Sequence, residues 1–256
     1  ILMLDSVQFS ALQASGKLPS PKGLALKVME LCRRDSVTLP EIIHVLQVDP
    51  AMVGRILKLA NSAAVGRPTP SASLTSDVLM SIGLQTVRQL VLAFSLVSEN
   101  RKGRCSGFDY EAFWSRSAAA GVATQLLGAA TRVAPPADLF TIGLLANVGR
   151  LAMATLHPER YGMLLAQVGD PFAAALTELE RKTFAYTHLD VAAALINDWG
   201  VPKMFSDAVL FHETPELADF DDGSRLARLI DCLHLGSRLV ALCFLPQGER
   251  TGEYMN

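Results

Sequence analysis

The 256-residue chain is half hydrophobic, and charged residues make up only 19% of it. Such a chain is long enough to bury one large core or two modest ones, so intrinsic disorder is not expected. Its 23 basic and 25 acidic residues give a net charge of -2, which excludes the basic surface typical of nucleic-acid-binding proteins.

The sequence also favours a soluble, cytoplasmic protein. We find no apolar run of the roughly 20 residues that cross a bilayer, because polar residues interrupt each candidate. The chain begins with Ile1 rather than Met, so it is compatible with a piece of a longer multidomain protein. No signal peptide or CxxC pair is present, which is typical of a reducing compartment. The four cysteines are Cys32, Cys105, Cys232 and Cys243.

Helical periodicity runs through the chain, whereas the alternating pattern of strands and hairpins is absent, so an all-α fold is predicted. In the N-terminal part, Thr38 followed by Glu41 predicts a capping box at a helix start. The pair Asp49-Pro50 predicts a second start one helix later. Breaks rich in proline, glycine and polar residues follow at 66–73 and 100–107, and they predict loops.

The second half of the chain predicts further helices and a boundary between two packed helical subdomains. We place this boundary in the second break, which gives an N-terminal subdomain of residues 1–105 and a C-terminal subdomain of residues 106–256. No internal repeat stands out that would indicate a solenoid. The predicted helices of the second half cover residues 109–130, 136–156, 171–184, 188–199, 202–212 and 223–245.

Five short motifs occur in order along the N-terminal half. Asp49 is suited to cap a helix, Pro50 to begin it, and Asn61 to satisfy backbone groups at its end. The motifs are Leu18-Pro19-Ser20-Pro21, Val48-Asp49-Pro50-Ala51, Leu57-Lys58-Leu59-Ala60-Asn61-Ser62-Ala63, Ser81-Ile82-Gly83-Leu84 and Val87-Arg88-Gln89-Leu90. Taken together, they resemble the HDOD family. The resemblance implies an all-helical bacterial signalling domain, often part of a larger regulatory chain.

The C-terminal half resembles the helical core of the HD superfamily of phosphohydrolases, to which HDOD domains are related. Active members hold divalent metals with a His, an adjacent His-Asp pair and a late Asp, and the metal lowers the pKa of a bound water. The matching positions here are Arg116, then Ala146 and Asn147, and finally Ser237, with Asp231 as an alternative. A guanidinium repels a cation, and neither a methyl group nor a neutral amide replaces the lost ligands. The resemblance therefore implies a degenerate core without catalytic residues, metal or cofactor.

Two histidines of the family pattern remain, His188 and His212. The simplest interpretation is that they line a vestigial cleft through ordinary hydrogen bonds. With an acidic neighbour such as Asp190 or Glu213, they are also candidates for weak binding of a metal ion or a small anion.

The sequence thus predicts a non-enzymatic regulatory module that acts through protein–protein interaction with unidentified signalling proteins. Its candidate interaction surface comprises Asn61, Ser62, Arg67 and Thr69, because loops on rigid scaffolds commonly carry function. A small-molecule ligand in the vestigial cleft is a further candidate partner, whereas membranes and nucleic acids are not expected.

Other functions stay open at this point. Residual metal-dependent phosphohydrolase activity or ligand sensing would use the two histidines. Residues 38–46 and 50–60 also have the spacing of a helix-turn-helix, although the second segment offers DNA only Arg55 and Lys58. The chain contains no Gly-x-Ser-x-Gly elbow and no Gly-x-x-x-x-Gly-Lys loop, so serine-hydrolase, ATP and nicotinamide chemistry are not expected.

Overall fold

The computed structural model describes residues 4–34, 36–61, 70–169, 174–221 and 223–244, and every regular element within these segments is helical. The predicted all-α fold is confirmed. Besides a 3₁₀ turn at Pro215–Leu217, these segments contain the helices α1 Ser6–Ala14, α2 Gly23–Cys32, α3 Leu39–Leu46, α4 Pro50–Ala60, α5 Ser76–Ile82, α6 Leu84–Glu99, α7 Tyr110–Thr131, α8 Pro136–Leu145, α9 Val148–Leu156, α10 Pro158–Val168, α11 Ala174–Phe184, α12 His188–Asp198, α13 Lys203–Phe211 and α14 Arg225–Phe244.

The predicted caps of α3 and α4 are present. The backbone N–H of Thr38 donates to the Glu41 carboxylate at 2.8 Å, and the backbone N–H of Met52 donates to the Asp49 carboxylate at 3.0 Å. Each bond satisfies a backbone group that a helix start leaves without an intrahelical partner. Local sequence chemistry therefore sets where these two helices begin.

Helices α2 to α6 enclose a first core, which consists of apolar side chains such as the fully buried Ile42, Ile56 and Leu79. At its edge, α5 and α6 meet at an angle of 89°. Gly83 forms the corner with a φ of +90°, a conformation that is strained for residues with a side chain. This explains why a glycine stands in the motif Ser81-Ile82-Gly83-Leu84.

Helices α7 to α14 surround a second, larger core. Helices α7 and α8 pack closely, since a Cβ atom added at Gly143 would lie 2.7 Å from a backbone oxygen of α7. Helix α14 runs antiparallel to α7, because Gly236 faces Thr124 while Phe244, near the other end, contacts Arg116. The facing surfaces of α7 and α14 form one wall of the candidate site.

Helix α6 contributes side chains to both cores and lies at the seam between them. Polar contacts also cross this seam. The guanidinium of Arg88 and the amide of Gln85 both donate to the carbonyl of Gly200, and the hydroxyl of Thr86 donates to Asp138 at 2.7 Å. The motif that contains Arg88 therefore joins the two halves. The subdomain boundary after residue 105 stays a prediction.

The second half differs from the sequence prediction at two places. The helix predicted over residues 136–156 is interrupted, because Asn147, with φ of -96° and ψ of 11°, forms a turn between α8 and α9. Helix α10, which begins at Pro158, was not predicted. The turn at Asn147 is the more consequential difference, since it faces the candidate site.

The stretch Pro136–Leu156 is also long and apolar enough, by length and composition, to cross a membrane, contrary to the sequence-based expectation. However, 89% of its most apolar window is buried inside the protein. That is the environment of a core helix, whose apolar residues are covered by other helices rather than by lipid.

Candidate functional site

A cleft of about 160 Å³ opens where α7, the turn between α8 and α9, the end of α13 and the second half of α14 meet. Its polar lining combines positions that lie far apart in the sequence. These residues are Arg116, Asn147, His212, Glu213, His234, Ser237 and Arg238.

The structure brings most of the degenerate HD positions together. Arg116, Asn147, His212 and Ser237 all line the cleft. Asp231, the alternative to Ser237, is exposed on α14 and does not line it. The sequence-based interpretation of these positions as a vestigial metal site stays a prediction, but they do share one location.

Ala146 and His188 lie deeper than the cleft lining. The methyl group of Ala146 is buried in the apolar core. His188 is completely buried at the start of α12, and α9 approaches it so closely that a Cβ atom at Gly149 would overlap its carbonyl oxygen. This close approach brings the residue after Gly149 next to His188.

That residue is Arg150, which is 1% exposed. Its Nη2 lies 2.6 Å from Oε1 of Glu213, and its Nε donates to Oδ1 of Asn147 at 3.2 Å. Burial alone would lower the pKa of Arg150, but the neighbouring carboxylates raise it. The sequence analysis gave Arg150 no role, yet it supplies a permanent positive charge directly behind the cleft.

His188 is held between two carboxylates. Its Nδ1 lies 2.7 Å from Oε2 of Glu180, and its Nε2 lies 3.0 Å from Oε1 of Glu213. Burial and Arg150 lower the pKa of His188, but the two carboxylates outweigh them and raise it. This raised pKa favours the imidazolium form, in which both ring nitrogens donate to the carboxylates.

Glu180 and Glu213 are correspondingly held ionised. Burial raises the pKa of Glu180, but His188 outweighs burial, so the pKa lies below its ordinary value. Burial also raises the pKa of Glu213, but Arg150 and His188 together bring it well below its usual range. We call Arg150, Glu180, His188 and Glu213 the charged quartet. Two cations and two anions make it electrically neutral, and both carboxylates are already engaged.

His212 differs from His188 in its protonation. Its Nδ1 lies 2.7 Å from the backbone oxygen of Val209, which only accepts hydrogen bonds, so Nδ1 carries the proton. Burial lowers its pKa and keeps the ring neutral. Nε2 therefore presents a lone pair, and it has no hydrogen-bond partner in the described part of the chain.

The arrangement does not suit a divalent cation. The described residues contain no group of three or more His, Cys, Asp or Glu side chains that could hold a metal ion. Asp190, one of the acidic neighbours considered above, accepts hydrogen bonds from the backbone and hydroxyl of Thr187 at the start of α12. Glu213, the other, is neutralised by the quartet.

The predicted interaction surface is described only at Asn61. Its amide Nδ2 donates to the backbone oxygen of Ser71, and its Oδ1 accepts from the backbone N–H of Ser71, both at 2.8 Å. Asn61 therefore links the end of α4 to the chain before α5. Ser62, Arg67 and Thr69 lie outside the described residues.

The helix-turn-helix alternative gains little from the structure. Helices α3 and α4 exist at the predicted spacing, but α4 buries one face, including Met52 and Ile56, in the first core. The guanidinium of Arg55 lies over the ring of Phe94 at 5.4 Å. A recognition helix instead needs an exposed face with several side chains that reach DNA bases.

The family model of the HDOD domain matches residues 18–215, which is most of the sequence. The chain belongs to the HDOD family. Among solved structures, MmoQ, a response regulator from Methylococcus capsulatus str. Bath, is 36% identical to this HDOD chain. The match covers 90% of this chain and 91% of MmoQ, with a TM-score of 0.52.

Two more distant structures share the HDOD fold. An HDOD domain protein of unknown function from Geobacter sulfurreducens is 20% identical, with 90% of this chain and 78% of that chain covered and a TM-score of 0.64. A protein from Shewanella amazonensis SB2B, named provisionally as a phosphohydrolase, is 24% identical, with coverage of 94% and 84% and a TM-score of 0.68. At these identities the similarity shows the fold alone.

An uncharacterized protein of Treponema pallidum (strain Nichols) is 24% identical to the HDOD chain over 196 residues. The match covers 76% of this chain but only 37% of that relative. The chain thus spans little more than a third of the length of the curated relative that it matches.

Proposed function

We propose that this HDOD protein is a regulatory module that transmits a signal by contacting other signalling proteins and does not catalyse hydrolysis. The observation that carries the proposal is the ion pair of the buried Arg150 and the partly buried Glu213, with 2.6 Å between Nη2 and Oε1. This pair places a fixed cation from the protein itself beside the positions at which an HD relative would bind a metal.

Hydrolysis in the HD superfamily depends on a metal-bound water of lowered pKa. In this chain the carboxylate nearest the cleft is neutralised by Arg150, and Arg116 adds a second positive charge to the lining. A unit charge about 4 Å from a bound cation opposes it by roughly 4 kcal/mol at an effective dielectric of about 20. The missing ligands and this repulsion act in the same direction.

The relatives support a role in signalling. MmoQ, the 36% identical protein, is named a response regulator. Cys32, Cys105 and Cys232 form no disulfide among the described residues, which supports placing the protein in the reducing cytoplasm. Because the Treponema relative is much longer, we further propose that the domain works beside other domains or partners.

The described chain offers a surface suited to such contacts. Four large apolar side chains are 47% to 68% exposed on the antiparallel helices α7 and α14. Large apolar side chains exposed on two helices that pack together are candidates for protein contact. We call them the α7/α14 surface, and they are Val122, Leu126, Leu235 and Leu239.

The first test addresses catalysis. The purified protein is incubated with Mn²⁺ and a panel of phosphomonoesters and phosphodiesters, and we expect no turnover above the rate of the buffer with Mn²⁺ alone. Turnover that depends on Mn²⁺ and disappears in His212→Ala would overturn the proposal and favour a residual phosphohydrolase.

The second test addresses protein contact. Photo-crosslinking from position 239 in cells should capture a defined protein, and Leu126→Glu should abolish this capture because it places a charge on an apolar contact. Met163→Glu is the matched control, since Met163 is 60% exposed on α10. Equal capture by both glutamate variants would contradict the assignment of the α7/α14 surface.

A further inference from the structure

We infer that the partner bound by the α7/α14 surface is a second copy of this chain, which makes the protein a dimer with two-fold symmetry. This assignment rests on the proposed role of the α7/α14 surface in protein contact and adds the identity of the partner. It comes from the apolar outer face of α7, from the charges beside the leucines of α14 and from the size of the paired helices.

Helix α7 exposes apolar side chains where a helix at a protein surface usually exposes polar ones. After Arg116, α7 contains no charged residue. Its exposed positions in that stretch include Ala118, Val122, Leu126 and Ala129, which have the spacing of one helix face. The opposite face packs against α8 and α14. A helix that is apolar all round is typically covered all round, so the outer face of α7 requires a partner.

Helix α14 extends this apolar face. Leu235 and Leu239 are both exposed and lie on either side of Gly236 in the sequence. A Cβ atom added at Gly236 would lie 3.6 Å from the Cβ of Ala123, the residue that follows Val122. The leucines of α14 and the exposed apolar side chains of α7 therefore lie close to the same helix contact and can be covered by one partner.

Two charged residues beside the leucines of α14 identify that partner. Asp231 and Arg238 are exposed, and neither forms an ion pair within the part of the chain that the structure describes. Seven residues make almost two helical turns, so the two side chains leave the same side of α14 about 10 Å apart along its axis. Each is available to a charge from another molecule.

A two-fold axis converts this spacing into two ion pairs. When α14 packs antiparallel against α14 of a second copy, with the axis midway between His234 and Leu235, Asp231 of each copy lies opposite Arg238 of the other. Leu235 then meets its own symmetry mate at the centre. An unrelated protein would need an acid and a base at matching positions, whereas a second copy supplies both by symmetry.

The size of the surface is adequate for a dimer. Helices α7 and α14 contain 22 and 20 residues. Such helices are about 30 Å long and pack about 10 Å apart, so together they present a face of roughly 30 Å by 20 Å. The accessible area of this face exceeds its projection of about 600 Å², and a standard interface buries about 800 Å² on each partner.

Sedimentation velocity of the full chain over a range of concentrations tests the dimer. We expect a species of twice the chain mass of 27.6 kDa, with a fraction that rises with concentration. Leu126→Glu should weaken dimerisation at least about a hundredfold, because it places two unpaired charges in each interface. Met163→Glu, at a 60% exposed position on α10, is the matched control and should change the dissociation constant by less than about twofold.

Charge reversal distinguishes a second copy from any other occupant. Asp231→Arg and Arg238→Asp each place like charges opposite one another twice per dimer, so each variant alone should dimerise at least about tenfold more weakly at low ionic strength. An equimolar mixture of the two variants should dimerise again, because a copy with two arginines then faces a copy with two aspartates. Lys182→Asp, an exposed position on α11, is the control and should change nothing.

Several results would overturn the second copy as the partner. They are a monomer at every concentration, a dimer that Leu126→Glu leaves intact, and a mixture of the two charge variants that dimerises no better than either alone. Photo-crosslinking from position 239 then separates this failure from that of the proposed function. Capture of a different protein would leave the proposed protein contact standing, whereas a crosslink within one chain, or none, would contradict both.

Discussion

The two cores of this protein are built from different chemistry. Among the described residues, the first core, enclosed by α2 to α6, buries no charged side chain, and the buried polar groups of these helices are Thr86, Gln89 and Ser95 of α6. Every buried Arg, Asp, Glu and His side chain of the described residues lies in the second half, and most of them meet in or beside the charged quartet. The first core can be explained by packing alone, whereas the second core also requires an account of its buried charges.

This difference indicates where function resides. An apolar core is stabilised by removal of surface from water and tolerates substitutions that conserve volume. A buried ion pair, by contrast, adds little net stability, because desolvation of the charges offsets their attraction. The quartet therefore gives no clear gain in stability over apolar packing. This fits a second half in which the buried charges serve the cleft rather than the stability of the core.

The largest effect should come from breaking the quartet at its buried cation. Arg150→Met keeps most of the side-chain volume but leaves the partly buried Glu213 without its main counter-ion, and we expect a loss of about 3–4 kcal/mol in the free energy of unfolding. Urea denaturation followed by circular dichroism measures this loss.

The surface provides a matched control for that change. Arg160→Met makes the same substitution at an exposed arginine, which donates to the carbonyl of Thr183, and should cost less than about 1 kcal/mol. The double variant Arg150→Met/Glu213→Gln should recover part of the loss, because it removes the uncompensated charge. If Arg150→Met costs no more than Arg160→Met, the quartet is not the centre of the second core.

A somewhat smaller effect is expected from the apolar core. Ile56→Ala removes buried methyl and methylene groups from a fully buried position and leaves a cavity, so we expect a loss of about 3 kcal/mol in unfolding free energy. This loss should be the same between pH 4 and pH 8, because no buried ionisable group belongs to this core. A pH-dependent loss would show that the two cores are coupled across α6.

Acid should distinguish the two cores by a smaller, graded effect. Burial raises the pKa of Glu180 and Glu213, but their cationic partners outweigh burial and lower it. A carboxylate with a lowered pKa contributes stability above its unfolded value of about 4.3, and this contribution is lost as the pH falls through the folded value. We therefore expect the second half to lose stability progressively below about pH 4.3.

Tryptophan fluorescence can follow this loss, since Trp114 and Trp199 both lie in the second core. Glu213→Gln should flatten the acid limb, whereas Ile56→Ala should leave its slope unchanged. Around pH 6.5 the two histidines affect stability in opposite directions. The raised pKa of His188 contributes stability that is lost as the pH rises. The lowered pKa of His212 contributes stability that is lost as the pH falls. The acid limb is therefore the informative part of the profile.

The sequence alone was sufficient to predict the features that depend on local interactions. The caps at Thr38 and Asp49 and the all-α fold depend on residues within one or two helical turns. The grouping of Arg116, Asn147, His212 and Ser237 was also accessible, but only through the family resemblance. Their separation along the chain gives no local pattern that would bring them together.

The quartet could not be predicted in the same way, because its four members come from the N-terminal part of α9, from α11, from the start of α12 and from the residue after α13's C-cap. One signal was available in the sequence. Arg150 is the one charged residue in the apolar stretch Pro136–Leu156 besides Asp138. A cation inside such a helix needs a buried counter-ion, and Glu213 was already under consideration for another role.

The smallest expected effect concerns Asn61, in the half with the apolar core. Asn61→Ala removes two exposed hydrogen bonds to Ser71, so we expect a loss of about 1 kcal/mol in unfolding free energy. Asn61→Asp keeps the acceptor for the Ser71 N–H and should lose about half as much. If instead Asn61→Ala leaves stability unchanged but removes a crosslinked partner that Leu126→Glu retains, Asn61 contacts that partner directly. The apolar half would then carry an interaction surface of its own, and function would no longer be confined to the half that contains the quartet.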